Sequence, residues 1–180
     1  MFESPAFQRL LERLANEAPH DPSDAEVRLV VRTCARDVCE YCLMPTLARF
    51  EVDHIVPVSR WREYFDGTLI TQPGESDPEL DHLSNFAWSC SYCNGFKGEL
   101  VSGRVGRRDF RLFNPRRDLW NDHFVLTDGY LFISGLTEIG RATERVLAFN
   151  DTRRNGPLAV RHKAIVDGIY PPPWARDWGF

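Results

Sequence analysis

Five cysteines occur in the 180-residue chain, at positions 34, 39, 42, 90 and 93. Four of them form two C-x-x-C pairs, Cys39-Glu-Tyr-Cys42 and Cys90-Ser-Tyr-Cys93. A loop of that spacing can turn two thiolates toward one ion, and two such loops complete a tetrahedral shell suited to Zn²⁺. Four thiolates leave no open position, so zinc held this way would be structural. The gap between the pairs is wider than in a simple zinc ribbon, so folded structure must lie between them. Cys34 is the odd one out and is read as a small buried residue on a helix. The gap carries polar groups of a different kind, in Glu51-Val-Asp-His-Ile-Val-Pro57 and in the run from Asn85 to Lys97. An Asp-His dipeptide taken alone is weak evidence of function. The order gives it weight: a cysteine pair, Asp53-His54, Asn85, a second cysteine pair followed at once by Asn94, then Lys97.

That order resembles the HNH endonuclease family, whose fold is a β-hairpin followed by a helix around a metal. The family pattern is C-x-x-C, a D-H or H-H pair on the first strand, an Asn in the loop, C-x-x-C, then His or Asn, and often Lys. This chain fills those positions with Cys39 and Cys42, Asp53 and His54, Asn85, Cys90 and Cys93, Asn94, and Lys97. It carries Asn at the final position, as do the zinc-stapled phage junction resolvases of that superfamily, so the departure does not imply inactivity. The resemblance covers roughly residues 39–99. A looser one extends to Leu112-Phe-Asn-Pro-Arg-Arg, Trp120-Asn-Asp-His-Phe and Gly135-Leu-Thr-Glu-Ile-Gly-Arg-Ala-Thr, which look like the C-terminal part of a bacterial branch. Residues 55–84, thirty in all, separate His54 from Asn85, more than in that branch. The stretch of about 60–82 is an insertion that could contact substrate or a partner.

The resemblance implies that His54 is the general base and that Asp53 and Asn94 hold a catalytic divalent ion. Asn85 would brace the loop and orient His54, and Lys97 would lie near the phosphates. The chemistry is consistent with this. Phosphodiester hydrolysis needs an activated water, neutralised charge on the phosphorane and help for the leaving oxygen. Imidazole suits the first task. Mg²⁺ or Mn²⁺, held by one or two oxygen ligands, suits the others. Two metals of different character are thus implied. One difficulty arises at once: on an ideal strand Asp53 and His54 face opposite sides.

Composition sets the outer bounds. Hydrophobic residues make up 43% and charged residues 27%, ordinary for a globular chain, and twelve Phe and five Trp can fill a core. No apolar run approaches the roughly 18 residues of a membrane span. The acidic N-terminal stretch lacks the order of a secretory signal, so a cytoplasmic location is expected. Net charge is −4, yet residues 97–117 carry seven basic residues against two acids. Within this stretch Lys97, Arg104, Arg107, Arg108 and Arg111 are candidate DNA-backbone contacts, with Phe110 and Phe113 available for stacking or for the core. Nothing in the sequence discriminates against RNA.

The elements that must position these groups follow from periodicity and punctuation. Ser4-Pro5 opens a first helix with Phe7, Leu10, Leu11 and Leu14 on one face. Ser23-Asp-Ala-Glu26 reads as a capping box for a second helix to about Arg36. Residues 46–58 read as extended, 61–82 as mostly loop, and a short helix is expected near 94–100. A strand is expected at 130–134, then helices from Thr137 to Phe149 and from Pro157 to about Ile169. The tail PPPWARDWGF cannot be helical through its prolines. Asp81 and His82 are read as surface residues, with a supporting role as the alternative, and Glu51 as a solvated carboxylate, with bracing of the metal shell as its alternative.

The expected fold is therefore α+β in a single domain over 1–180. It has an N-terminal helical region (1–36), a ββα-metal core stapled by zinc (37–100) and a C-terminal strand-helix extension (101–180). The expected function is DNA endonuclease. The alternatives are a zinc-stabilised module that binds nucleic acid or protein, and a nuclease subunit dependent on a partner at the N-terminal helix or the 60–82 insertion.

Overall fold

The computed structural model describes residues 4–46, 49–60 and 80–176. Helix α1, Pro5–Asn16, starts with proline in its first turn, where a missing N–H costs nothing, and buries Phe7 and Leu14. Helix α2, Ala25–Cys34, buries Val27, Val30 and Val31. Its cap is Asp24, not the expected Ser23: the Asp24 carboxylate accepts from the N–H of Glu26 (2.8 Å) and Val27 (3.3 Å). Ser23 instead donates its hydroxyl to Asp21. Cys34 ends α2 exposed rather than buried, because the helical face that packs inward there is carried by Val30, Val31 and Ala35.

Strand β1, Phe50–His54, pairs antiparallel with β2, Phe86–Cys90, running from Phe50↔Cys90 to His54↔Phe86. β1 is shorter than the extended stretch expected over 46–58, since a 3₁₀ turn follows at Val58–Arg60. Residues 61–79 of the insertion lie outside the described residues. Helix α3, Ser91–Lys97, follows β2 without a loop, starting earlier than expected because Cys90 itself is its N-cap residue. Gly98, at φ +48°, ends it.

The C-terminal part holds two further hairpins where one strand was expected. They are β3, Ser102–Val105, with β4, Arg108–Arg111, and β5, Phe124–Thr127, with β6, Phe132–Gly135. Each strand is four residues long, too short to give a periodic signal. A short helix α4, Trp120–His123, leads into β5. Helix α5, Glu138–Val146, is capped by Thr137, whose hydroxyl oxygen accepts from the Gly140 N–H at 3.1 Å. A side chain at Gly140 would put its first carbon 2.1 Å from the His123 carbonyl oxygen, so the close crossing of α5 over this hairpin requires glycine. Helix α6, Pro157–Val166, and a short α7, Pro173–Arg176, complete the chain. The tail is thus helical for one turn, which starts at the last of its three prolines.

One main cluster of buried side chains runs from Phe7 through the cysteines and Phe124 to Ala175. The C-terminal part is tied directly to the first cysteine loop. Trp120 donates its indole N–H to the Tyr41 carbonyl at 2.9 Å, and the Tyr170 hydroxyl donates to the Cys42 carbonyl at 3.2 Å. Arg161 is fully buried, with no carboxylate partner among the described residues. It donates instead to the carbonyls of Leu131 (2.8 Å) and Phe149 (2.9 Å), pinning the β5–β6 turn to the end of α5. No helix among the described residues is long and apolar enough to cross a membrane.

Candidate metal centre and the adjoining cleft

The four paired cysteines converge. Their sulfur atoms all lie within 4.8 Å of one another, and all four residues are buried. Cys39 and Cys42 sit on a tight loop closed by the Cys39 N–H to the Met44 carbonyl (2.8 Å) and the Leu43 N–H to the Cys39 carbonyl (2.9 Å). Leu43 takes φ +61° to make that turn. Cys90 ends β2 and Cys93 lies in the first turn of α3, so the strand-to-helix junction supplies the second pair.

Glu40 locks the two halves together. Its backbone N–H donates to the Trp88 carbonyl (2.9 Å), and its carboxylate accepts from the Trp88 N–H (2.7 Å). The same carboxylate takes a bidentate grip from Arg116.

The spacing fits an ion. Cys42 and Cys90 sulfurs are 3.8 Å apart, far beyond a disulfide bond. A tetrahedron with zinc–sulfur bonds of about 2.3 Å has edges of about 3.8 Å. The thiols do not ionise alike. Thiol hydrogen bonds from Cys39, Cys42 and Cys93 hold Cys90 well below the usual thiol range. Burial pushes Cys93 well up, and the bond with Cys39 does the same to Cys42. Four thiolates in so small a buried volume need a cation, and Cys39, Cys42, Cys90 and Cys93 could hold one such as zinc.

A second set of groups lies at the far end of the β1–β2 hairpin. Asp53, His54 and Asn94 all line one open cleft of about 310 Å³, with Val58, Ser59 and Glu99 on its walls. The strand geometry that would separate Asp53 from His54 does not prevent this, because His54 is the last residue of β1. Asp53 is 6% exposed and well supplied with donors. The Tyr41 hydroxyl donates to Oδ2 at 2.7 Å, and the Lys97 ammonium donates to Oδ1 at 3.0 Å. Burial raises the Asp53 carboxyl, opposed by the Lys97 charge and the Tyr41 bond. Asn94 donates its amide N–H to Glu51 at 2.5 Å, and its carbonyl oxygen has no hydrogen-bond partner among the described residues. Glu51 is exposed, as expected, but it is engaged by Asn94.

A hard divalent ion prefers oxygen donors, and the carboxylate of Asp53 with the free carbonyl of Asn94 is a donor set of that kind. Each Asp53 oxygen accepts one hydrogen bond from these two donors and keeps a second lone-pair direction.

Lys97 is the main departure from the sequence reading. It is 2% exposed, with its ammonium on Asp53 and on the His54 carbonyl (2.7 Å). It cannot be the phosphate contact expected of it, because those bonds hold it inside the fold. Its methylene stem and charge instead fasten α3 to β1. Lys97→Met would strand a buried carboxylate. It is expected to destabilise the zinc-loaded protein by about 3–5 kcal/mol in urea unfolding without added divalent ion. A loss under 1 kcal/mol would mean that the pair contributes little.

Asn85 is buried beneath the β1–β2 connection. Its carbonyl oxygen accepts from the Val56 N–H (2.9 Å), and its amide donates to the Val56 and Leu80 carbonyls (both 3.0 Å). It braces that connection through the backbone. The partner of the His54 ring is another residue, Asp81, whose Oδ1 lies 2.8 Å from Nε2. Asp81 is thus no plain surface residue; it is only a quarter exposed.

The basic stretch divides in two. Arg104, Arg107 and Arg108 stand exposed on the β3–β4 hairpin, with Gly106 at its tip. Arg111 is committed to Asp118 through two bonds of 2.6 and 2.7 Å, and Arg116 to Glu40. Phe113 is a core residue, 3% exposed, packed on Phe124. The sequence reading missed Tyr41, whose only signal was its place between two cysteines, and preferred a surface location for Asp81 over the supporting role that was its alternative.

Comparison with protein-family models, curated proteins and solved structures gives no match.

Proposed function

We propose that this protein is a metal-dependent endonuclease of the HNH type that hydrolyses DNA phosphodiester bonds. The observation that carries the reading is the meeting of Asp53, His54 and Asn94 in one open cleft, although about forty residues separate the first two from the third. They stand on a β-hairpin and its following helix, joined at the opposite end by four thiols.

In this mechanism a water in the cleft attacks phosphorus and gives its proton to His54. His54 Nε2 lies 2.8 Å from Asp81 Oδ1 and Nδ1 has no partner among the described residues, so Nδ1 is the nitrogen this reading assigns as acceptor. Asp53 and Asn94 would hold the catalytic Mg²⁺ or Mn²⁺, which supplies neutralisation of charge at the phosphate. Tyr41 and Lys97 hold the Asp53 carboxylate, and Asn85 fixes the backbone after His54. Zinc at the cysteines would fix where Tyr41 stands, because Tyr41 lies between two of them.

The test is cleavage of supercoiled plasmid with Mg²⁺, with Mn²⁺ and with a chelator. Relaxed or linear product that the chelator abolishes supports the reading. No cleavage of duplex, single-stranded DNA or RNA by zinc-loaded protein overturns it for the isolated chain.

Arg104, Arg107 and Arg108 are the DNA contacts retained from the sequence reading; these exposed cations extend on a two-stranded ribbon. Arg107→Glu/Arg108→Glu is expected to weaken duplex binding about tenfold or more near 100 mM salt and to flatten the log–log salt slope by about 2. Fluorescence anisotropy across a salt titration reads both. An unchanged slope removes this hairpin from the interface.

A further inference from the structure

The histidine of the proposed nuclease site is held by a carboxylate from outside the motif that identified it. Asp81 lies near the end of the 60–82 insertion, and its Oδ1 meets His54 Nε2 at 2.8 Å. The pair is sheltered, with side-chain exposures of 18% for His54 and 25% for Asp81. The edge of the imidazole also meets Phe86, with ring centres 5.0 Å apart and planes at 81°, so the ring has little freedom to turn.

Asp81 is itself anchored on both sides. Its backbone carbonyl accepts from the His20 N–H at 2.7 Å. Before it, Leu80 packs on Val56 and offers its carbonyl to Asn85. After it, the His82 ring accepts from the Ser84 N–H at 3.1 Å. A carboxylate this well fixed sets which ring nitrogen carries the proton, because an ionised carboxylate only accepts.

We infer that Asp81 is a positioning residue for His54: it keeps the proton on Nε2 and presents Nδ1 as the base. The inference rests on the nuclease reading for its consequence, but the tautomer can be read without it. As the water oxygen bonds to phosphorus and the P–O bond to the leaving oxygen breaks, the water proton passes to Nδ1. The resulting imidazolium keeps its Nε2–H on Asp81, and solvent protonates the leaving oxygen.

The substitution that tests this is Asp81→Asn, compared with Asp81→Ala. The amide of Asn can donate to Nε2 and so favours the proton on Nδ1, which blocks the base. Alanine leaves the ring free to take either form. A merely structural acidic residue would show the opposite order, with the isosteric Asn the milder change. The expected result is a fall in kcat on plasmid of about 10²-fold or more for Asn and about 10-fold for Ala, with KM nearly unchanged.

The second readout is ¹⁵N NMR of the neutral His54 ring in zinc-loaded protein. It should show the Nε2–H form in wild type and the Nδ1–H form in Asp81→Asn. An Nδ1–H ring in wild type, an unchanged tautomer in Asp81→Asn, or greater activity in Asn than in Ala overturns the inference. If no protein cleaves, the nuclease reading falls, and the tautomers alone decide the role of Asp81.

Discussion

On the nuclease reading, His54→Ala is expected to abolish plasmid cleavage and to leave the fold intact. A general base contributes about 10²–10⁴ in rate, so activity should fall to the assay background. The fold has little stake in this side chain. Among the described residues its ring makes one hydrogen bond, to Asp81, and an edge contact with Phe86. The bond from Lys97 goes to the His54 backbone carbonyl, which alanine retains. Asp53 keeps both of its donors as well. The cost in stability should therefore stay near 1 kcal/mol, and zinc content should equal that of wild type. The check is plasmid cleavage alongside thermal unfolding and zinc analysis of the same preparation. If alanine cleaved as wild type does, the base would lie elsewhere. If it unfolded the protein, His54 would be a structural residue.

Cys90→Ser is expected to show the opposite profile, losing zinc and most of the stability. A serine hydroxyl is a poor zinc ligand, and three thiols would remain in a buried space shaped for four. Metal binding at such a site is folding free energy, commonly about 10 kcal/mol or more, against total stabilities of about 5–15 kcal/mol. Even a loss of 5 kcal/mol lowers the Tm of a chain this size by about 10–20 °C. The damage should spread, because Cys90 stands where β2 becomes α3 and the C-terminal part hangs on carbonyls of the first cysteine loop. Cys34→Ser is the control: Cys34 is exposed and lies outside the cluster, so the change should stay within about 0.5 kcal/mol. Calorimetry with zinc analysis separates the two. A Cys90→Ser protein with full zinc and an unchanged Tm would mean that the thiols hold no metal that matters to the fold.

The two experiments address different ends of one hairpin, and Tyr41 joins them. It lies between two cysteines and donates to Asp53 across 2.7 Å, so whatever orders the thiols also sets the carboxylate. Zinc loss is therefore expected to silence the cleft as well as to loosen the fold. Only the reverse case, an inactive but fully stable protein, isolates the chemistry.

Much of this architecture was written in local signals. The C-x-x-C spacing determined which four of the five cysteines meet, because each pair is a local turn and only two pairs need find each other. The helices at 5–16, 138–146 and 157–166 followed from apolar spacing and proline at the first turn. The gathering of Asp53, His54 and Asn94 was foreshadowed by their order along the chain.

Tertiary structure alone decided the rest, because those contacts join residues whose separation carries no periodic or motif signal. Lys97 reads in sequence as an exposed cation. The packing of α3 on β1 buries it, and a buried ammonium must find a carboxylate and a carbonyl. Arg111 counted toward a basic surface until the turn after β4 brought Asp118 against it. The hairpin at 102–111 and the first strand of the one at 124–135 escaped notice because four-residue strands are fixed by pairing and by what packs over them, not by their own pattern. Asp81 meets His54 across 27 positions, through a backbone held by His20 and Asn85, and no local rule encodes such a meeting. The sequence alone thus determined which groups could do chemistry, since residue type and short spacing are local properties. Only the fold decided which carboxylate faces the imidazole and which cation is buried, since both depend on long-range packing.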